Sequence, residues 1–393
     1  MEIRYAIEKD REQIISLWDY CFEDQKEFVD YYFENVYDEK NTLVVEEDDE
    51  VLSSLQLNKY KIKLRNNDYK ISYIVGVSSK PEIRGHGYMK NLMVHTLEEL
   101  YKNGEIVSIL MAIDYRLYRR YGFDHCYDQL EYSIRTEDLS RFKLTSRLKR
   151  ASIDDAKILA DIYREAMKSL NGYTVRDEEY FRRFIMEIES ENGRVYINEE
   201  NNSRSYIAYY IQGDTFFVRE LIYSGVSSLK CVLAYIYNHN TQCKNTVINS
   251  PVDDKIRLVV ENLKTCEMKL IPFMAGRMIN FEKYLETLKL EQEKIKKIEG
   301  KSINIKVKDK YINQNDGVFK ISILDNKIKV EKVEQNCDIE LNINSIAQLA
   351  FSYLNIDEIL MLNEIDENSL SDAQKAILNT LFEKKTNYID ELV

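Results

Sequence analysis

Apolar and polar residues alternate in two rhythms along this chain, and the rhythms change character twice. After a short strand-like run, Ile3–Ala6, the residues Ile14, Ile15, Leu17, Trp18, Cys21 and Phe22 recur at helical spacing and predict an amphipathic helix. Phe28, Tyr31, Tyr32 and Phe33 predict a second, shorter one. Strands follow at Thr42–Glu46, Leu52–Tyr60 and Tyr69–Val77, set apart by the polar turn runs 47–50 and 65–68. A long helical pattern covers Met89–Leu100, a buried strand Ile106–Ala112, and a tyrosine-rich helix or turn comes next.

The order then repeats. A strand and helix cap near Leu148–Asp155, with Ser152 or Asp154 as cap, lead into a helix over Asp155–Lys168. Strands at Arg194–Asn198, Ser205–Gln212 and Thr215–Tyr223 precede a helix over Ser228–Tyr237. Two α/β units of similar plan account for this, the second lacking all but Ser224-Gly225 where the first has glycines before its long helix. A lysine- and glutamate-rich helical run, Phe281–Ile298, opens a third segment. There Ser302–Lys308, Gly317–Leu324, Lys327–Val333 and Asp338–Asn342 alternate as short antiparallel strands, and helices follow at Ile343–Tyr353 and Leu370–Phe382. The chain ends on apolar residues, as expected of a docked tail.

Composition changes this picture little. The 393 residues suffice for two to four domains. With 55 basic against 67 acidic residues the net charge is −12, which disfavours nucleic acid or anionic membrane as a partner. No stretch nears the ~18 apolar residues of a membrane span. A charged start without an apolar signal core, and six scattered cysteines with no C-x-x-C pair, predict buried reduced thiols, a cytoplasmic location and no metal site.

The chemistry concentrates in residues 73–93. An apolar strand there runs through a short loop into Arg84-Gly85-His86-Gly87 and an amphipathic helix (Met89, Leu92, Met93, Thr96, Leu97, Leu100). Two glycines let successive N–H groups converge at a helix N-terminus, where the dipole favours anions, and Arg84 and Lys90 add positive charge. The geometry suits a diphosphate. Neither G-x-G-x-x-G nor a P-loop is present.

Strand, Pro-Glu-x-Arg-Gly-x-Gly and helix together resemble the acetyl-CoA signature of the GNAT superfamily, Gln/Arg-x-x-Gly-x-Gly/Ala. Arg84 matches its first position and Gly87 its first glycine, while Met89 stands where Gly or Ala is usual. The stretch from Leu110 to Phe123, with Tyr118-Arg119-Arg120-Tyr121-Gly122-Phe123, resembles the Y-x-R-F/Y-G-F/Y element of Eis-type acetyltransferases, and 171–181 resembles part of that family's second unit. The resemblance implies an α+β protein. Two tandem GNAT units with mixed sheets, one catalytic (1–145) and one degenerate (146–288), precede a sterol-carrier-like domain (289–393).

What the resemblance implies chemically is N-acetyl transfer from acetyl-CoA, as co-substrate, to a primary amine within a ternary complex. The amine would be aminoglycoside-like, a polyamine or Lys. Residues Val75, Val77, Arg84, Gly85, His86, Gly87, Tyr88 and Met89 are expected to hold acetyl-CoA, with the Val77 N–H polarising the thioester. By position alone Tyr115, Tyr118 and Tyr121 are equal candidates for the general acid; the resemblance selects Tyr118, whose ordinary pKa of ~10 lies near a thiol's ~8.5. It also implies the terminal carboxylate of Val393 as base and a homo-oligomer, often a hexamer. Trp18, Asp19, Phe22 and Glu23 are candidates for an amine pocket, against a plain core role for the aromatics. A non-enzymatic acyl-CoA or lipid sensor, and a protein N-acetyltransferase, are the rival readings.

Overall fold

A computed structural model describes residues 1–199 and 203–392. Its contacts divide the chain into two compact units. One contains residues 1–23, 36–127 and 273–393, the other 24–35 and 128–272. The elements of the first part of the chain are β1 (Glu2–Tyr5), α1 (Arg11–Cys21), α2 (Lys26–Asn35), β2 (Thr42–Glu47), β3 (Glu50–Leu64), β4 (Asn67–Ser79), α3 (Tyr88–Lys102), β5 (Val107–Leu110) and α4 (Tyr115–Arg119).

In the first unit the sheet order is β1-β2-β3-β4-β5, then the end of the strand Glu267–Met278. β1 to β4 pair antiparallel, and β5 lies parallel to β4. Leu43, Val45, Leu55, Leu57 and Ile74 form one core with Leu92, Met93, Leu97 and Leu100 of α3. Burying these side chains is what fixes α3 to one face, at roughly 1.5–3 kcal/mol each. Gln56, Asn58 and Tyr73 are buried on the opposite face, because strand side chains alternate.

The third segment belongs to this same unit. Its sheet runs Lys327–Val333, Gly317–Leu324, Ser302–Lys308, Ile339–Asn342. The last pair is parallel, not antiparallel as the alternation suggested: period-two patterning reveals a strand's faces, not its direction. The run Phe281–Ile298 is two helices, Phe281–Thr287 and Gln292–Ile298, and three more (Ile343–Ala350, Ile356–Leu362, Asp372–Leu381) complete the segment. Arg65, in the β3–β4 turn, is buried and donates to the carbonyls of Leu381 (2.9 Å) and Thr380 (3.2 Å), so a cation caps the C-terminus of that last helix.

The second unit orders its strands Asn245–Ser250, Thr215–Tyr223, Ser205–Gln212, Arg194–Asn198, Lys149–Arg150. Helix α2 clusters with this unit rather than with the first, its Tyr31 hydroxyl donating to Arg183 O at 2.9 Å. Arg176 and Glu220, both without solvent exposure, pair at 2.6 Å, and the Tyr206 hydroxyl satisfies the carboxylate's other oxygen at 3.0 Å. Of the six free cysteines, four are buried, while Cys21 is half-buried and Cys337 exposed, which corrects the expectation that all are buried.

Candidate active site

β4 carries the central distortion of the site. Its pairing with β3 runs Ser54↔Ser78 and then Gln56↔Val75, so Gly76 and Val77 stand opposite a single residue, Leu55. This is a bulge. Gly76 adopts φ +57°, and a Cβ there would lie 2.0 Å from Gln56 Oε1 and 2.4 Å from Trp18 Cζ3. Only glycine fits both the angle and the space. The parallel β4–β5 ladder stops at Ile74↔Leu110. Beyond it Val75, Gly76 and Val77 have no β5 partner among the described residues, so the pairing ends where the resemblance implies that Val75 and Val77 hold acetyl-CoA.

The glycine loop follows. Arg84 and His86 spend their N–H groups inside the turn, on Pro81 O (3.2 Å) and Ile83 O (3.2 Å). The expected unbroken row of donors from Arg84 to Met89 is therefore interrupted: a tight turn needs its own internal bonds. The first helical bond is Asn91 N–H to Gly87 O at 3.0 Å. The N–H groups of Gly85, Gly87, Tyr88 and Met89 have no acceptor among the described residues, and no side chain caps α3. Gly85 and Gly87 sit at φ +85° and +88°, and a Cβ on either would meet nothing within 4 Å. The space beside both glycines is therefore open.

Side chains around the loop divide by role. Met89 is half-buried and packs against the core beneath α3, so its bulk is taken up there while its N–H has no acceptor among the described residues. Arg84 is exposed, but its guanidinium folds back on Ser79 O (3.3 Å) and Cys21 Sγ (3.7 Å). His86 is exposed, and the Tyr88 hydroxyl donates to Glu47 at 3.2 Å. A cavity of about 420 Å³ opens beside the loop, between Glu12, Gln13, Leu17 and Tyr20 of α1 and Lys80–Glu82.

Tyr118, on α4, is 6% exposed and shares one packed cluster with Ile74, Leu110, Val77, Tyr88 and Met89. Burial, with a smaller push from Tyr121, raises its pKa to about 12. The close match to a thiol expected from an ordinary phenol is therefore lost, because the phenolate is poorly solvated there. Among the described residues none hydrogen-bonds its hydroxyl. The α4 turn is braced by Arg277, which donates to Tyr121 O at 2.7 Å and pairs twice with Asp309 at 2.8 Å, all without solvent exposure. Asn315 and the N–H groups of Tyr311 and Ile312 complete the carboxylate's shell.

Val393 lies outside the described residues. Residues 387–391, which lead toward it, are buried. Asn387 Nδ2 donates to Cys126 O (3.0 Å) and Phe351 O (2.8 Å), and Tyr73, two residues before Val75, donates to Glu391 O at 3.4 Å. Of the amine-pocket candidates, Trp18 is 3% exposed, with its ring against Gly76 and 5.1 Å from that of Phe22. Phe22 is half-buried, and Asp19 and Glu23 are exposed. The sequence reading missed Gln56, Tyr73, Gly76, Arg277, Asp309 and Asn387. The one available signal was a glycine inside a strand pattern, which marks a bulge.

At the matching place in the second unit the Gly225 N–H is taken by Ser228 Oγ at 3.1 Å, and Gly225 is extended at φ 178°, so no comparable cradle occurs there among the described residues. No group that could hold a metal occurs among the described residues, nor any helix long and apolar enough to cross a membrane.

Acetyltransferase (GNAT) domain families match residues 2–126 and 172–278, and a sterol carrier protein domain family matches 282–390. No curated protein gives a significant sequence match. Among solved structures, a probable N-acyltransferase from Enterococcus faecalis superposes with TM-score 0.85 at 21% identity, covering 100% of this chain and 99% of its own. A GCN5-related N-acetyltransferase from Anabaena variabilis gives 0.83 at 18% identity, covering 100% of both chains. Eis1 from Mycobacterium abscessus gives 0.76 at 14%, also covering 100% of both. The chain thus carries two acetyltransferase (GNAT) domains followed by a sterol carrier-like domain, and it shares its fold from end to end with Eis1.

Proposed function

We propose that the first acetyltransferase unit moves an acetyl group from acetyl-CoA to a primary amine by direct attack in a ternary complex. The amine is that of a small molecule such as an aminoglycoside or polyamine, or of Lys. One observation carries this reading. The unpaired amides of Gly85, Gly87, Tyr88 and Met89 adjoin the point where β4 leaves β5, with Tyr118 in the same packed cluster. Open donors at a helix N-terminus suit a diphosphate, and a diverging strand suits an extended amide-bearing arm. Bound acetyl-CoA would supply an activated acyl group as a thioester.

The chain's own residues then act as follows. The Val77 N–H, in the bulge, donates to the thioester carbonyl oxygen. The Tyr118 hydroxyl donates a hydrogen bond to the departing sulfur. At a pKa of about 12 it holds its proton against a thiolate of ordinary pKa ~8.5, so it stabilises the sulfur mainly as a donor. The Val393 carboxylate accepts the amine proton, a role supported by the buried course of residues 387–391 past Tyr73. Trp18 walls the amine side of β4, with Asp19, Phe22 and Glu23 at its rim. We place the enzyme in the cytoplasm as a homo-oligomer.

Thiol release from acetyl-CoA, followed with a panel of amines, tests the reading. Amine-dependent release that falls in Tyr118→Phe supports it. Coenzyme A binding with no release across the panel would instead favour an acyl-CoA-binding protein without turnover.

A further inference from the structure

The acceptor side of β4 holds one side chain whose burial has no internal explanation. Gln56 lies on β3, directly opposite Val75, and is 2% exposed. Neither its Oε1 nor its Nε2 has a hydrogen-bond partner among the described residues. A buried primary amide left without partners is costly, and such groups are retained where another molecule completes them. Its immediate neighbours fix where that molecule must come. Oε1 sits 2.0 Å from the point a Gly76 side chain would occupy, and the Trp18 ring approaches the same point at 2.4 Å. Gly76 thus lacks a side chain where the Gln56 amide and the indole meet the bulge.

Face and register add the direction. Leu55 and Leu57, the sequence neighbours of Gln56, point into the core beneath α3. Gln56 therefore faces α1, alongside Tyr73, whose hydroxyl reaches the tail at Glu391 O. On the proposed reading the thioester enters through the β4–β5 divergence, so this α1 face is where an amine must approach. A neutral amide offers it one acceptor and two donors in a dry site.

We propose that Gln56 is a substrate-binding residue that orients the acceptor amine: Oε1 accepts an N–H from the attacking nitrogen, and Nε2 donates to a neighbouring polar atom of the same acceptor. Trp18 closes the site from the α1 side. This rests on the acetyltransferase reading and deepens it, because it names a residue that selects for the acceptor and not for acetyl-CoA.

The experiment compares wild type with Gln56→Met and Gln56→Leu, which keep the volume and remove the amide. Spermidine, an aminoglycoside and Nα-acetyl-lysine methyl ester serve as acceptors. Amine KM should rise about tenfold or more, equivalent to about 1.4 kcal/mol, while acetyl-CoA KM stays unchanged. Melting temperature should hold or rise, because an unsatisfied buried group has gone. Calorimetric binding of the best acceptor should weaken in parallel, a readout independent of turnover. Unchanged amine KM and binding in folded variants would overturn the assignment while leaving the acetyltransferase reading intact. A lower melting temperature with unchanged amine KM would show a structural role and overturn it likewise. Absence of amine-dependent thiol release in the wild type would instead bring down the reading on which it rests.

Discussion

Replacing Gly76 by alanine is the sharpest single perturbation of the site, because strain and space act together there. At φ +57° an L-residue costs about 1–2 kcal/mol over glycine. The new Cβ would also lie 2.0 Å from Gln56 Oε1 and 2.4 Å from Trp18 Cζ3. Both side chains are buried, at 2% and 3% exposure, so neither can swing into solvent. Overpacking of this kind adds about 1–3 kcal/mol, and the total is about 2–5 kcal/mol. Gly87→Ala supplies the control. Its φ of +88° imposes the conformational cost, but nothing lies within 4 Å of the new atom. At about 2–4 °C per kcal/mol for a unit of this size, Gly76→Ala should melt several degrees below Gly87→Ala. Calorimetric titration with coenzyme A should then show Gly76→Ala binding weakly, since the bulge must shift to accommodate the methyl. A Gly76→Ala protein that melts with the wild type and binds coenzyme A normally would refute the account of the bulge.

Four further outcomes follow from the geometry. Tyr118→Phe should lower kcat by about a hundredfold and leave the calorimetric affinity for coenzyme A within twofold. Removing Leu392 and Val393 should abolish amine-dependent thiol release without loss of coenzyme A binding; full activity in that truncation excludes the terminal carboxylate as base. Asp309→Asn should destabilise the first unit by about 3–5 kcal/mol in urea titrations, because Arg277 is left charged and fully buried. Alkaline titration has a defined sign. The native Tyr118 pKa of about 12 exceeds the unfolded value of ~10, so its contribution is fully present below pH 10. As pH rises from 10 to 12 the unfolded chain ionises first, and about 2–3 kcal/mol is lost from this residue alone. Urea midpoints at pH 9, 10 and 11 should be flat and then fall; a midpoint that does not move above pH 10 contradicts the burial argument.

The parts legible in sequence were those governed by local rules. The bounds of Arg194–Asn198, Ser205–Gln212 and Ser302–Lys308 match to the residue, and in Ser302–Lys308 every second residue is buried, as a period-two pattern requires. β3 is harder to read. Val51 to Asn58 are all buried, so both faces are hidden and the unpartnered Gln56 looks like any other polar interruption. The glycine loop was visible as a motif, but which of its amides are spent inside the turn depends on the path between Pro81 and Gly87. Arg277 and Asp309 carry no local signal: the pair forms between a sheet strand and a loop of the third segment. The raised pKa of Tyr118 likewise belongs to its packing, which no spacing of tyrosines reveals.

The Arg277–Asp309 pair has a consequence for how the chain can be divided. Arg277 grips Asp309 on one side and the Tyr121 carbonyl on the other, and Arg65 ties the β3–β4 turn to the last helix. A gene cut after residue 126 would thus strip away buried partners, not merely an appended module. The C-terminal third behaves as a keystone of the acetyltransferase half, and the two should melt in one cooperative transition.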